Sequence, residues 1–165
     1  MHSRHAANRG VDCGQVEEVA QVGNKAKATA AALVLIASFE GYSHRAYLDP
    51  IGIPTICAGH TAGVHMGDTI ADCDKVTDAD LNAVIVRISA EIPNLPPEIL
   101  GATADLCFNI GLSKCERSTL WKLLKAKKYR AACDEYGKFI YAHGKPYSGL
   151  IRRRQAERQL CMKGL

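Results

Sequence analysis

The sequence has no hydrophobic run long enough to cross a bilayer. Its longest apolar stretch, residues 28–37, is broken by Thr29 and reaches about half of the roughly 20 residues that a spanning helix needs. The opening residues, MHSRHAANRGVDCGQVEEVAQVGNKAKA, are charged or polar throughout and carry no apolar core of a secretory signal. No Cys-x-x-Cys pair occurs, which excludes a zinc ribbon or a redox dithiol motif. His2, His5, His44, His60, His65 and His143 show no tight ligand spacing, and no phosphate-cradling glycine loop precedes a helix. No metal, nucleotide or other cofactor is therefore expected. Internal repeats and low-complexity tracts are also missing.

What is present fits one domain. The chain has 165 residues, of which 47% are apolar and 23% charged, the balance of a soluble globular protein that folds without a partner. A formal charge of +4 suits an anionic partner without selecting one. Seven cysteines form an odd and unusually large set, which points to disulfides made in an oxidising space such as the periplasm. Spacing alone does not give their connectivity, and some could instead be reduced, buried apolar residues. The cysteines imply export, yet no ordinary export signal is visible.

Residues 1–27 lack a sustained period and read as an N-terminal arm, with a helical stretch near 16–22; residues 28–165 read as the folded domain. From Ala28 an alanine-rich helix places Leu33, Ile36, Ala37 and Glu40 on one face, so a carboxylate ends an apolar stripe. After Gly41, strand-like pieces 45–48 and 55–58 flank the turn Asp49-Pro50-Ile51-Gly52, which predicts a small hairpin. Thr77, with Asp80 three residues on, resembles a capping box opening a helix to about Glu91. Further helices are expected from Glu98 to Asn109, from Ser118 through Leu124, over 129–141 and over 150–162. The sum is an α+β fold, mostly helical, with one small antiparallel sheet near the front.

Breaking a glycosidic bond requires a proton for the leaving oxygen and a second carboxylate to handle charge or activate water. Glu40, at the end of an apolar helix, is placed to be partly desolvated, which suits a general acid; Asp49, in a turn, would be wetter and ionised. Taken as an isolated pair, the two are equally well a helix-end acid and a turn former. The wider frame changes that reading. Glu40, eight residues, Asp49, five residues, Thr55, then Cys57-Ala58-Gly59-His60-Thr61 resembles the signature segment of the phage lysozymes of glycoside hydrolase family 24. Phe108-Asn109-Ile110-Gly111, Ser118-Thr119-Leu120, Gly144-Lys145 and the run from Gly149 to Arg158 resemble helical-lobe landmarks of that family in the same order. Phe139 and Tyr141 stand where many members have tryptophan, and Ala58 where an aromatic residue or isoleucine is common.

The resemblance implies a lysozyme-like fold and an endolysin that hydrolyses the β-1,4 bond between N-acetylmuramic acid and N-acetylglucosamine in bacterial peptidoglycan. It assigns Glu40 as general acid, Asp49 as partner carboxylate and Thr55 as the hydroxyl that places the attacking water, with inversion at the anomeric carbon. Thr61, Phe108 and Thr119 match positions that line the saccharide groove, while His60 matches a structural histidine. The pairs Cys133–Cys161 and Cys57–Cys73 are jointly cysteine in some secreted members. Cys107 and Cys115 flank the turn at 108–111 and form a candidate third pair, which leaves Cys13 over. Arg152, Arg153, Arg154 and Arg158 make the densest basic patch; without aromatics for stacking they read as solvated or ion-paired arginines facing an anionic wall, not nucleic acid. The expected protein is a monomer acting in the host periplasm, reached by holin-dependent release or an atypical N-terminal export segment. A lytic transglycosylase needing only one glutamate, or a catalytically silent wall-binding module, are the alternatives.

Overall fold

The computed structural model describes residues 13–49 and 52–165, with side chains from Glu17 onward. Residues 1–12 of the expected arm, the Cys13 thiol and the Pro50-Ile51 centre of the expected turn lie outside the described residues. The first helix, α1 (Cys13–Phe39), runs unbroken through the position where a helix was expected to begin. Its residues between Glu17 and Lys27 are mostly exposed, so they show no apolar period although their backbone is helical. From Ala28 onward, Ala28, Ala32 and Ile36 recur every four residues and are fully buried.

A hairpin follows, β1 (Ser43–Leu48) against β2 (Pro54–Cys57), antiparallel with Tyr47 opposite Thr55. Then come α2 (Cys73–Glu91) and α3 (Pro97–Ile110). The cap of α2 is Asp72, whose side chain accepts from the Lys75 amide at 3.2 Å. Thr77, expected to open this helix, is instead buried inside it. Short helices α4 (Leu112–Glu116), α5 (Thr119–Lys125) and α6 (Tyr129–Asp134) come next, and Ser118 caps α5 by accepting from the Trp121 amide at 3.1 Å. The helix expected over 129–141 is cut short: a 3₁₀ turn takes Glu135–Lys138, and Tyr141–Ala142 (β3) pairs with Lys145–Pro146 (β4) around His143-Gly144, both with positive φ. Pro146 ends the paired segment, and α7 (Ser148–Lys163) closes the chain.

The core gathers around α3, which is buried along nearly its whole length. The two helices that pack on it most extensively are α1 and α7. At the α1 crossing stands Gly101, where an added Cβ would lie 2.9 Å from the Ala28 carbonyl oxygen and 3.2 Å from the Ala31 methyl. The missing side chain permits this close approach. Three disulfides tie the elements together: Cys57–Cys73 joins β2 to α2, Cys107–Cys115 joins α3 to α4, and Cys133–Cys161 joins α6 to α7. The last spans 28 residues of chain. Replacing both of its cysteines by alanine is expected to lower unfolding free energy by about 3 kcal/mol, read from the denaturant midpoint. Among the described residues no helix is long and apolar enough to cross a membrane.

Candidate active site

Glu40 follows the last residue of α1, with its amide donating to the Ile36 carbonyl at 2.8 Å, so the helix end fixes where the side chain starts. Asp49 begins the hairpin turn and closes it. Its amide donates to the Ile53 carbonyl at 3.0 Å, and its carboxylate accepts from the Ile53 amide at 2.8 Å. Gly52, with φ near 82°, makes the reversal possible and donates its amide to the Asp49 carbonyl at 2.9 Å. Thr55 is buried on β2, its hydroxyl donating to the Ile53 carbonyl at 2.9 Å. The oxygen keeps lone pairs for a second donor.

These three residues line a single groove of about 890 Å³ between the hairpin and the helical body. Thr61 and Phe108 line it too, with Tyr47, Asp80, Asn109 and Tyr147. Thr119 does not line this groove: it is exposed at the first position of α5. His60 sits beyond the loop 57–59, where the Ile56 and His60 amides donate to each other's carbonyls at 2.9 Å. Both ring nitrogens are engaged, one with the Asp80 carboxylate at 2.7 Å and the other with the Ala62 carbonyl at 3.1 Å. The ring therefore braces the hairpin loop against α2.

Behind Glu40 lies a buried charge cluster that the sequence reading did not anticipate. Arg153 holds Asp105 with two bonds, Nε at 3.0 Å and Nη2 at 2.7 Å, while its Nη1 donates to Glu40 Oε1. Asn109 Nδ2 donates to the same Glu40 oxygen at 3.2 Å. Arg154 donates to Asn109 Oδ1 at 3.0 Å and stands 2.7 Å from Glu157. Both donors to Glu40 meet at Oε1, so neither of these bonds engages Oε2. Burial pulls the Arg153 guanidinium down, but Asp105 and Glu40 more than offset it and hold Arg153 above its ordinary range. Tyr47 is raised as well, by burial first and then by the negative charges of Glu40 and Asp49, so a protonated phenol stands near both carboxylates.

Of the two forms expected for the arginines at 152–158, solvated or ion-paired, Arg153, Arg154 and Arg158 take the ion-paired one, and the expectation that the patch faces a wall is corrected. Arg153 is 3% and Arg154 1% exposed, so neither faces solvent or a wall; Arg152 is exposed, and Arg158 is exposed but paired with Asp134 at 2.7 Å. The exposed basic surface lies elsewhere, on α4 to α6, where seven basic residues between Lys114 and Arg130 stand against one acid, Glu116. Lys114, Lys122, Lys127, Lys128 and Arg130 are exposed and make no salt bridge among the described residues.

Comparison with known proteins gives a consistent result. A model of the phage lysozyme family matches residues 37–157. The SAR-endolysin of Enterobacteria phage P21 is 33% identical over 153 residues, covering 88% of this chain and 93% of the relative. Among solved structures, the active form of P1 phage endolysin Lyz aligns with a TM-score of 0.73 at 25% identity, covering 81% of this chain and 84% of that one. A mutant of P22 lysozyme aligns with a TM-score of 0.68 at 34% identity, covering 79% and 94%.

Proposed function

The chain belongs to the phage lysozyme family, and on that footing we propose that it is an endolysin, a muramidase that hydrolyses the β-1,4 bond between N-acetylmuramic acid and N-acetylglucosamine in bacterial peptidoglycan and so lyses the host. The observation that carries this reading is the meeting of Glu40, Asp49 and Thr55 in one groove of about 890 Å³, with Arg153 and Asn109 gripping one oxygen of Glu40. Glu40 gives its proton to the glycosidic oxygen, whose bond to the anomeric carbon breaks. A water held by Thr55 and Asp49 adds its oxygen to that carbon and loses a proton to solvent through Asp49. Attack from the face opposite the leaving group inverts the anomeric centre.

Tyr47, with its phenol near both carboxylates, and Phe108 supply apolar and hydroxyl contacts to the sugar. The basic surface between Lys114 and Arg130 takes over the part first assigned to the arginines at 152–154, adsorption to an anionic wall. Three disulfides favour action in the periplasm, as does the name SAR-endolysin borne by relatives. The protein works as a monomer in this reading.

Mass spectrometry of fragments released from purified peptidoglycan tests the proposal. Products with reducing N-acetylmuramic acid ends are expected, each carrying the mass of one added water. Anhydro ends would replace hydrolysis by transglycosylation, and a wall left intact by folded protein would remove the enzymatic reading.

A further inference from the structure

Glu157 plays no part in the reaction described above, yet it is the most deeply placed acid behind the groove. It lies on α7 and is fully buried, as is Asp105 on α3. The charged and titratable groups around it come from every neighbouring element: Asp105 from α3, Arg153 and Arg154 from α7, Tyr136 from the 3₁₀ turn, and Glu40 at the end of α1 beyond Arg153. Tyr136 stays a neutral phenol, since burial first and neighbouring carboxylates second raise it far, against a bond with Thr103 at 3.2 Å.

If Glu40, Asp105 and Glu157 were all ionised, three negative charges would face two guanidiniums, and Asp105 and Glu157 are fully buried, where an unbalanced charge is costly. One proton removes the imbalance, and the geometry says where it sits. Asp105 takes two aligned bonds from Arg153, the arrangement of an ionised carboxylate. Glu40 accepts from Arg153 and Asn109. Glu157 has no aligned donor on either oxygen, although Arg154 Nη2 is 2.7 Å and Arg153 Nε 3.5 Å away.

We propose that Asp105 and Glu157 hold one proton between the two of them, carried by Glu157, and form a positioning pair for Glu40, with a single negative charge against Arg153 and Arg154 so that one positive charge is left for the Glu40 anion to balance. Burial first, and then the neighbouring Asp105, raises Glu157 well above the ordinary glutamate range, in the same direction. The functional consequence concerns timing. While Glu40 holds its proton the cluster has an excess positive charge; as the proton passes to the leaving oxygen, the new Glu40 anion cancels it. Stabilisation thus grows as the reaction proceeds, which is the condition for lowering a barrier.

This inference rests on Glu40 being the general acid, and its test separates the two ideas. The pH dependence of kcat/KM would be measured for the wild type, Glu157→Gln, Asp105→Asn and the double variant. Either single change leaves the pair with one negative charge, because the remaining carboxyl ionises, so the alkaline limb should stay within about 0.3 pH unit. The double change removes that charge and should move the limb down by about one pH unit. A shift in Glu157→Gln as large as in the double variant would overturn the shared proton. Should the double variant fail to fold, carbon-13 carboxyl shifts of the wild type decide: at pH 6 one proton should be found on the pair, and two fully ionised carboxylates would refute it. Full activity in Glu40→Gln would instead sink the assignment of the acid, while the carboxyl shifts would still report on the pair.

Discussion

Glu40→Gln is expected to lower kcat/KM for peptidoglycan hydrolysis by on the order of 10³-fold while leaving the fold intact. Glutamine has the size of the acid, and its carbonyl oxygen can accept from Arg153 and Asn109 where Glu40 Oε1 now does. What it lacks is the proton on the second oxygen, the one turned away from those donors. The loss should therefore appear in kcat, with substrate binding changed little, because the groove walls and the basic surface at 114–130 are untouched. Asp49→Asn should also be impaired, but with a different cause: its carboxylate also accepts the Ile53 amide and closes the hairpin turn, so part of any loss would be positional. Turnover of soluble glycan fragments by the two variants, with circular dichroism as a control, checks this order. An active, well-folded Glu40→Gln enzyme would refute the assignment.

Arg153→Met should cost about 3–5 kcal/mol of stability, the usual penalty for removing one partner of a buried ion pair. Methionine fills similar space but leaves Asp105 without its two bonds, Glu40 without one of its two donors and Glu157 with Arg154 as its one remaining close cation. Chemical denaturation gives the number directly. Its pH dependence provides a second check. Orphaned buried carboxylates can escape the penalty by taking up protons, so they would bind more protons folded than unfolded. The deficit should be largest near neutrality and narrow as pH falls toward the ordinary carboxylate range. Activity should fall more than stability alone explains, because Glu40 would lose the contact that orients it. A stable and fully active Arg153→Met protein would show that the cluster holds neither the fold nor the acid.

Much of the groove was legible in the sequence because its signal is local. Glu40, Asp49 and Thr55 are separated by short fixed intervals, and Gly52 and Gly59 mark turns that any chain of this kind must make with positive φ. The cap at Ser118 was legible for the same reason. The Arg153 cluster was not. Its partners stand 48 and 113 positions away, and periodicity detects only apolar faces, so a charge buried by distant partners looks like surface. Three consecutive arginines left solvated and ion-paired positions undivided, since only the fold shows that Arg152 is exposed and the next two are buried. The helical stretch expected near 16–22 is there, but its continuity with the helix from Ala28 was not legible, for a complementary reason. Between Glu17 and Lys27 the helix has little to bury, and a helix without an apolar face leaves no period to read. The helix expected over 129–141 ends at Asp134, and the residues after the 3₁₀ turn pair as a short hairpin around His143-Gly144, whose backbone adopts the left-handed region.

The seam at Gly101 gives the catalytic acid an unexpected kind of neighbour. Glu40 rides at the end of α1, and the height of α1 above α3 is set by one absent methyl group some three turns back along the helix. Thickening that seam, as an engineer seeking heat resistance would be tempted to do, forces α1 to give way at Ala28, on the same helix that ends at Glu40. A residue that touches no sugar and carries no charge thus acts as the shim that sets the working clearance of the enzyme.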